Sequence, residues 1–267
     1  MGQFDGKVAY ITGVGRGMGR NHALRLAQEG ASIIGIDLAG PVGDHTTYPP
    51  ATPDDLAETI SLVEAAGGKI LARQGDVRDL KAQQEIVAAG IEQFGGLDFV
   101  IANAGALTWG AVHELSEDAW DDLININLSG AWRTLKATVP HMIEAGKGGS
   151  IVMVSSVAGL KAMPLQASYS ASKYGVVGLA QTAAKELGKH RIRVNTIHPY
   201  GVTTRMVLED TSAQAVFDGY LPHFTPILED AMSSVDDISD SVLFLLSDHA
   251  SKITAATYTI DAGAIKV

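Results

Sequence analysis

The chain has 267 residues, 46% hydrophobic and 19% charged, so it can bury a sizeable core and is globular, not disordered. Its net charge of −10, with no Lys/Arg-rich block, argues against nucleic acid or an anionic membrane surface as a partner. It has no cysteine, which excludes disulfides, thiol nucleophiles and Cys-zinc sites; it shows no secretory pattern in M-G-Q-F-D-G-K and no apolar run of the ~18–20 residues a membrane span needs, so a cytoplasmic location is expected.

In chain order, the apolar run Lys7 to Ile11 predicts a strand, followed at once by T-G-V-G-R-G-M-G and a periodic segment from Asn21 to Gln28. Strand, glycine turn and helix are the setting in which a glycine motif gains meaning. Gly13 permits the tight turn, and Gly17 and Gly19 remove side chains where backbone would approach a pyrophosphate at a helix N-terminus; Arg16 and Met18 lie within the same turn. A glycine-rich surface turn is the alternative. A second strand, Ser32 to Ile36, ends in Asp37 and Leu38, with Asp37 eighteen residues beyond Gly19. An acid there can accept hydrogen bonds from the ribose hydroxyls of NAD and would repel the 2′-phosphate of NADP. Arg16 is the counter-signal, and Asp37 weighs more.

Residues 39–53, with four prolines, form a loop longer than the two to six residues usual between strand and helix. A helix is expected from Asp54 and Asp55 to about Ala66. A third strand over Lys69 to Gln74 leads to Asp76 and Val77, where Asp76 is either a partner for an adenine amino group or the cap of the next helix, Leu80 to Phe94. A fourth strand, Leu97 to Ala102, ends in Asn103, Ala104 and Gly105, residues suited to close passage of a cofactor or to a simple turn.

Glu117 to about Ala145 predicts one long helical stretch. Asn127 lies inside it among apolar residues, either as a satisfied core amide or as a polar link in a proton path. The acids Glu114, Glu117, Asp118, Asp121 and Asp122 read as a solvated first turn, with only His113 nearby as a metal-type neighbour. A fifth strand, Ser150 to Ser155, precedes a helix from about Ser168 to His190. On it, Tyr169 and Lys173 stand four apart and share a face. A lysine cation within about 4–6 Å favours a phenolate and lowers its pKa by ~1–3 units, which would let Tyr169 exchange a proton with a substrate oxygen. A hydroxyl at the strand end, Ser155 or Ser156, could bond the same oxygen. A sixth strand, Ile192 to Ile197, runs into H-P-Y-G-V-T-T-R-M; about 200–233 is expected to form a lid, followed by a helix over Val235 to Leu246 and a last strand from Ala256 to Ile260. Alternating strands and helices predict a single doubly wound α/β domain over 1–267, with a mainly parallel seven-stranded sheet and ligands at the strands' carboxyl ends.

Taken together, T-G-x-x-x-G-x-G at Thr12, N-A-G at Asn103, Asn127, Ser156, Y-x-x-x-K at Tyr169 and P-x-G at Pro199 resemble the short-chain dehydrogenase/reductases from about residue 5 to the end. The resemblance implies a Rossmann-type fold. It also implies Tyr169 as general acid/base, Lys173 as the residue that lowers its pKa and holds the nicotinamide ribose, Ser156 as the polarising hydroxyl, and Asn127 as positioner of a relay water. Gly13, Gly17, Gly19, Asp37, Asp76, Val77 and Asn103 match cofactor positions, and Pro199, Gly201, Val202 and Thr204 the nicotinamide end. Trp109, Met163, Tyr200, Met206 and Phe217 are expected near the substrate. Two departures, Tyr200 between Pro199 and Gly201 and the 39–53 insertion, are similar to an actinobacterial subgroup related to carveol dehydrogenase and often described as mycofactocin-coupled. The implied assembly is a homotetramer. The expected activity is NAD-dependent interconversion of a secondary alcohol and its ketone, with mycofactocin as a redox partner; a non-catalytic NAD-binding regulator on the same fold is the alternative class.

Overall fold

Short apolar strands buried on both faces require layers of helix on either side. The computed structural model describes residues 2–212, 226–230 and 232–266. Seven strands, β1 (Val8–Thr12), β2 (Ser32–Asp37), β3 (Lys69–Gln74), β4 (Phe99–Ala102), β5 (Gly149–Val154), β6 (Ile192–Pro199) and β7 (Thr257–Ile260), form one sheet in the order β3-β2-β1-β4-β5-β6-β7. Every pairing is parallel. Among the described residues the α-helices are α1 (Gly17–Gln28), α2 (Pro53–Ala65), α3 (Leu80–Phe94), α4 (Glu117–Leu123), α5 (Ala131–Ala145), α6 (Ala167–Leu187), α7 (Arg205–Leu208) and α8 (Val235–Leu246).

Two apolar cores flank the sheet. Tyr10, Ile34, Val100 and Met153 pack on one face with residues of α3, α5 and α6. Ile11, Ile33, Ile101 and Val152 pack on the other with residues of α1, α2 and α8. Strand order reverses between β1 and β4, and a crevice opens there beyond the strands' carboxyl ends, the place where such sheets bind ligands.

Two local details depart from the sequence expectation. The long stretch after Glu117 is not one regular helix: Ile124–Gly130 is a π-helical turn between α4 and α5, centred on Asn127. Turns of this kind are frequent at functional sites. The start of α2 is set by Thr52, whose hydroxyl accepts from the Asp55 amide while the Asp55 carboxylate accepts from the Thr52 amide, a capping box with Pro53 in the first turn.

Candidate active site

The glycine turn between β1 and α1 forms one wall of a cleft of about 460 Å³. Gly13 adopts φ +69°, and a side-chain carbon at Gly19 would fall on the Gly13 carbonyl oxygen, so both positions require glycine for the turn to close. Asp37 is 8% exposed at the end of β2; its two carboxylate oxygens accept from the Gly15 amide and the Ala39 amide, each at 2.8 Å. Gly13, Arg16, Gly17, Met18, Gly19, Asp37, Leu38, Asp76, Val77, Asn103, Ala104, Gly105 and Thr204 all line the cleft. Asn103 donates to the Thr12 and Gly13 carbonyls, while its Oδ1 and Arg16 Nη1 are buried without hydrogen-bond partners. An adenine dinucleotide fits this wall: glycines where backbone must approach a pyrophosphate, unsatisfied polar atoms, and an acid at the ribose position.

Asp76 is not the cap of α3. That role belongs to Asp79, which accepts from the Lys81 and Ala82 amides. Asp76 instead accepts from the Arg78 amide and guanidinium, and Arg78 also binds Asp122 of the acidic cluster. Among the described residues no group of side chains is placed to hold a metal ion. Arg16 is joined at the cleft by Arg20 and Arg205, which the sequence did not place there. Arg20 is held by Asp55 and Glu58, and Arg205 by Asp55 and Glu209, so neither is a free partner for an added phosphate. Asp37→Ala should therefore narrow the preference for NAD over NADP by about tenfold or more, since like charges in close contact cost several kcal/mol. Side-by-side titrations measure the ratio, and a parent protein that binds both cofactors equally would remove this role from Asp37.

A second cavity, about 180 Å³, adjoins the first and shares Met18, Asn103, Gly105, Thr204 and Met206 with it. Ser156, the first extended residue past Ser155 at the end of β5, caps the turn Val157–Gly159 and faces Tyr169 on α6. Ser155 is excluded from that role because its hydroxyl donates to the Lys173 carbonyl at 3.0 Å. Lys173 is buried; its ammonium donates to the Val154 carbonyl at 2.9 Å and lies 5.5 Å from the centre of the Tyr169 ring. Lysine is expected from the sequence to lower the tyrosine pKa, but here burial is the larger influence and raises it, opposed by hydrogen bonding with Ser156. Burial acts on Lys173 as well, pushing it down to about 8.

Asn127 is a core amide that ties two elements together. Its Oδ1 accepts from the Ala106 amide at 2.8 Å, and its Nδ2 donates to the Ala106 carbonyl and the Ser172 hydroxyl. Both amide hydrogens are thereby used, so a water held here would have to bond an oxygen of Asn127. Pro199, Gly201, Val202 and Thr204 line the second cavity, and Val202 pairs with Ser233 in an isolated bridge. Trp109, Met163, Tyr200 and Met206 line it too, whereas Phe217 lies outside the described residues.

Several contributors were not singled out from the sequence. His198, buried on β6, bonds the Ser156 carbonyl through Nδ1 and the Thr196 hydroxyl through Nε2, which fixes the backbone at Ser156. Leu107, Gln166, Val207, Asp210 and Met232 complete the pocket wall. The 39–53 loop reaches past the adenosine end: the Tyr48 hydroxyl accepts from the Leu107 amide, the Thr108 hydroxyl donates to the His45 carbonyl, Thr47 bonds Asp210, and Arg16 donates to the Pro49 carbonyl. None of these long-range partners leaves a local pattern in sequence.

The short chain dehydrogenase family model matches residues 7–215. The chain is 49% identical to an uncharacterised NAD-dependent oxidoreductase of Mycobacterium tuberculosis, over 99% of this chain and 98% of that one. It is 40% identical to (−)-trans-carveol dehydrogenase of Rhodococcus erythropolis, over 98% and 99%. The crystal structure of carveol dehydrogenase from Mycobacterium avium in complex with NAD superposes with a TM-score of 0.94 at 44% identity, covering all of both chains. Glycine turn, acid-tipped second strand and paired Tyr169 and Lys173 thus sit on a fold shared with an NAD-bound relative, and the chain belongs to the short-chain dehydrogenases as an NAD-dependent oxidoreductase acting on CH–OH groups.

Proposed function

We propose that this enzyme interconverts a secondary alcohol of apolar, terpenoid- or steroid-like body and its ketone, as a cytoplasmic homotetramer that keeps its NAD bound and depends on an external acceptor of the mycofactocin type. The observation that carries this reading is that Ser156, Tyr169 and Lys173 together line a pocket that Leu107, Met163, Met206, Val207 and Met232 also wall. In the oxidative direction the Tyr169 oxygen takes the hydroxyl proton of the substrate, and the Ser156 hydroxyl holds that same oxygen as the carbonyl forms. Lys173 places its positive charge beneath the tyrosine ring, where it favours the deprotonated form that burial opposes. The apolar wall positions the carbinol carbon and excludes water. When bound, NAD supplies the acceptor for the hydride that leaves that carbon.

Retention of NAD is supported by the loop. Gly40, Val42, Thr46, Tyr48, Pro50 and Ala51 line the cofactor cleft, and the loop is tied down at Arg16, Leu107, Thr108 and Asp210. Its prolines reduce the entropy lost on ordering, and contacts of this kind act mainly on off-rates. A tetramer is supported by large apolar side chains left exposed on α4, α5 and α6, namely Trp120, Trp132 and Tyr174. The helices include none long and apolar enough to cross a membrane among the described residues.

The test is to extract purified protein for nucleotide, then to assay secondary alcohols with added NAD alone and with an artificial acceptor dye. Nucleotide that co-purifies, with turnover that requires the dye, is expected. Nucleotide-free protein that cycles on added NAD would leave an ordinary dehydrogenase and rule out retention. No oxidation under either condition would overturn the alcohol assignment.

A further inference from the structure

Asp210 is the one acidic side chain among the described residues that line the substrate cavity. It is 6% exposed and firmly held: Oδ1 accepts from the Ser212 amide at 2.9 Å and from the Thr47 hydroxyl, and Oδ2 accepts from Trp109 Nε1 at 2.8 Å. Three separate segments (the 39–53 loop, the stretch after β4 and residues 210–212 after α7) therefore converge to aim one carboxylate. In every one of these bonds it is the acceptor, and a carboxylate oxygen has room for about two donors, so Oδ2 retains capacity for another. Among the described residues the pocket's other charged lining residue is Lys173, whose ammonium is bound to Val154 beside Tyr169. Among the described residues the side chains Leu107, Val157, Met163, Met206, Val207 and Met232 make much of the remaining wall apolar, so a second negative charge there would lose most of its water.

We propose that Asp210 is a specificity-determining residue that selects uncharged alcohols, favours those carrying a further hydrogen-bond donor, and rejects alcohols bearing a carboxylate. An anionic substrate would lose its water and meet a like charge in a low-dielectric pocket, which is costly on both counts. A neutral substrate with a hydroxyl or amide N–H can instead donate to Oδ2. This inference rests on the alcohol-oxidising reading of the same site.

The test uses a matched pair of ring alcohols, trans-4-hydroxycyclohexanecarboxylate and its carboxamide, which differ in charge and hardly in shape. The assay contains both NAD and acceptor dye, so that cofactor exchange does not limit either rate. In the parent enzyme kcat/KM should favour the amide, and Asp210→Asn should shrink that ratio about tenfold or more. Asp210→Glu keeps the charge and should keep the preference. An unchanged ratio in Asp210→Asn, with the amide still oxidised, overturns the inference alone. Equal loss of preference in Asp210→Asn and Asp210→Glu also overturns it, since shape and not charge would then be responsible. A parent enzyme that oxidises neither these compounds nor any other secondary alcohol defeats the alcohol reading itself.

Discussion

Tyr169→Phe should lower kcat for alcohol oxidation by about 10²–10⁴-fold, the usual contribution of a positioned acid/base group, while NAD binding survives. The ring stays and only the hydroxyl is lost, so the packing around α6 is kept. Because burial raises this tyrosine, the base form is scarce near neutrality and becomes more abundant as pH rises. Oxidation by the parent enzyme should accordingly climb into the alkaline range, and the residual rate of the variant should lack that limb. Steady-state rates across pH, paired with a fluorescence titration of NAD, give both readouts. A variant within a few-fold of the parent would remove Tyr169 from the chemistry.

Lys173→Met should move activity and stability in opposite directions. The ammonium is buried, and burial has brought its pKa down from 10.5 to about 8. Below pH 8 both folded and unfolded chains carry the proton, and the folded state bears the full cost of an ion out of water. Between about 8 and 10.5 the folded protein releases the proton first, so unfolding takes protons up and stability rises with pH. A methionine of similar length removes that cost. Cofactor-free Lys173→Met should be more stable than its parent at pH 7 by at most ~3 kcal/mol, less whatever the lost bond to the Val154 carbonyl contributes, and the gain should fade toward pH 10.5. Its kcat should nevertheless fall, since the tyrosine then ionises with no cation beneath it. Urea unfolding at pH 7 and pH 10 is the check. A parent protein whose stability is flat over that window would refute the shifted lysine.

Much of this architecture was legible in sequence because the signals are local. A glycine turn, an acid at a strand tip and a tyrosine one helical turn from a lysine are fixed by backbone spacing alone, and all appear at the crevice. Asn127 was legible as an anomaly within a helix but not as the centre of a π-helical turn, because hydropathy does not register a change of helical pitch. Asp76 showed the limit of capping arguments: two aspartates stood near the start of α3, and Asp79 takes the amides while Asp76 turns to Arg78. The pKa order was misjudged for a related reason. Spacing reports that a cation is near a phenol, whereas desolvation depends on everything packed around both. Tyr48, His198 and Asp210 leave no local signal, since the partners that tie them into the site, Leu107, Ser156 and Thr47, lie at least 42 positions away along the chain.

The bonds from the 39–53 loop to residues 107, 108 and 210 bear on how this scaffold can be re-engineered. Transplanting a relative's segment at 210–212 by itself would strand Thr47 and the Trp109 indole opposite whatever replaced Asp210, while trimming the loop would leave the Leu107 amide and the Thr108 hydroxyl to find new acceptors. Residues 45–48, 107–109 and 210–212 therefore form one cassette: chimeras that exchange all three together should keep a formed pocket, and chimeras that exchange one should carry buried donors or acceptors with nothing to bind.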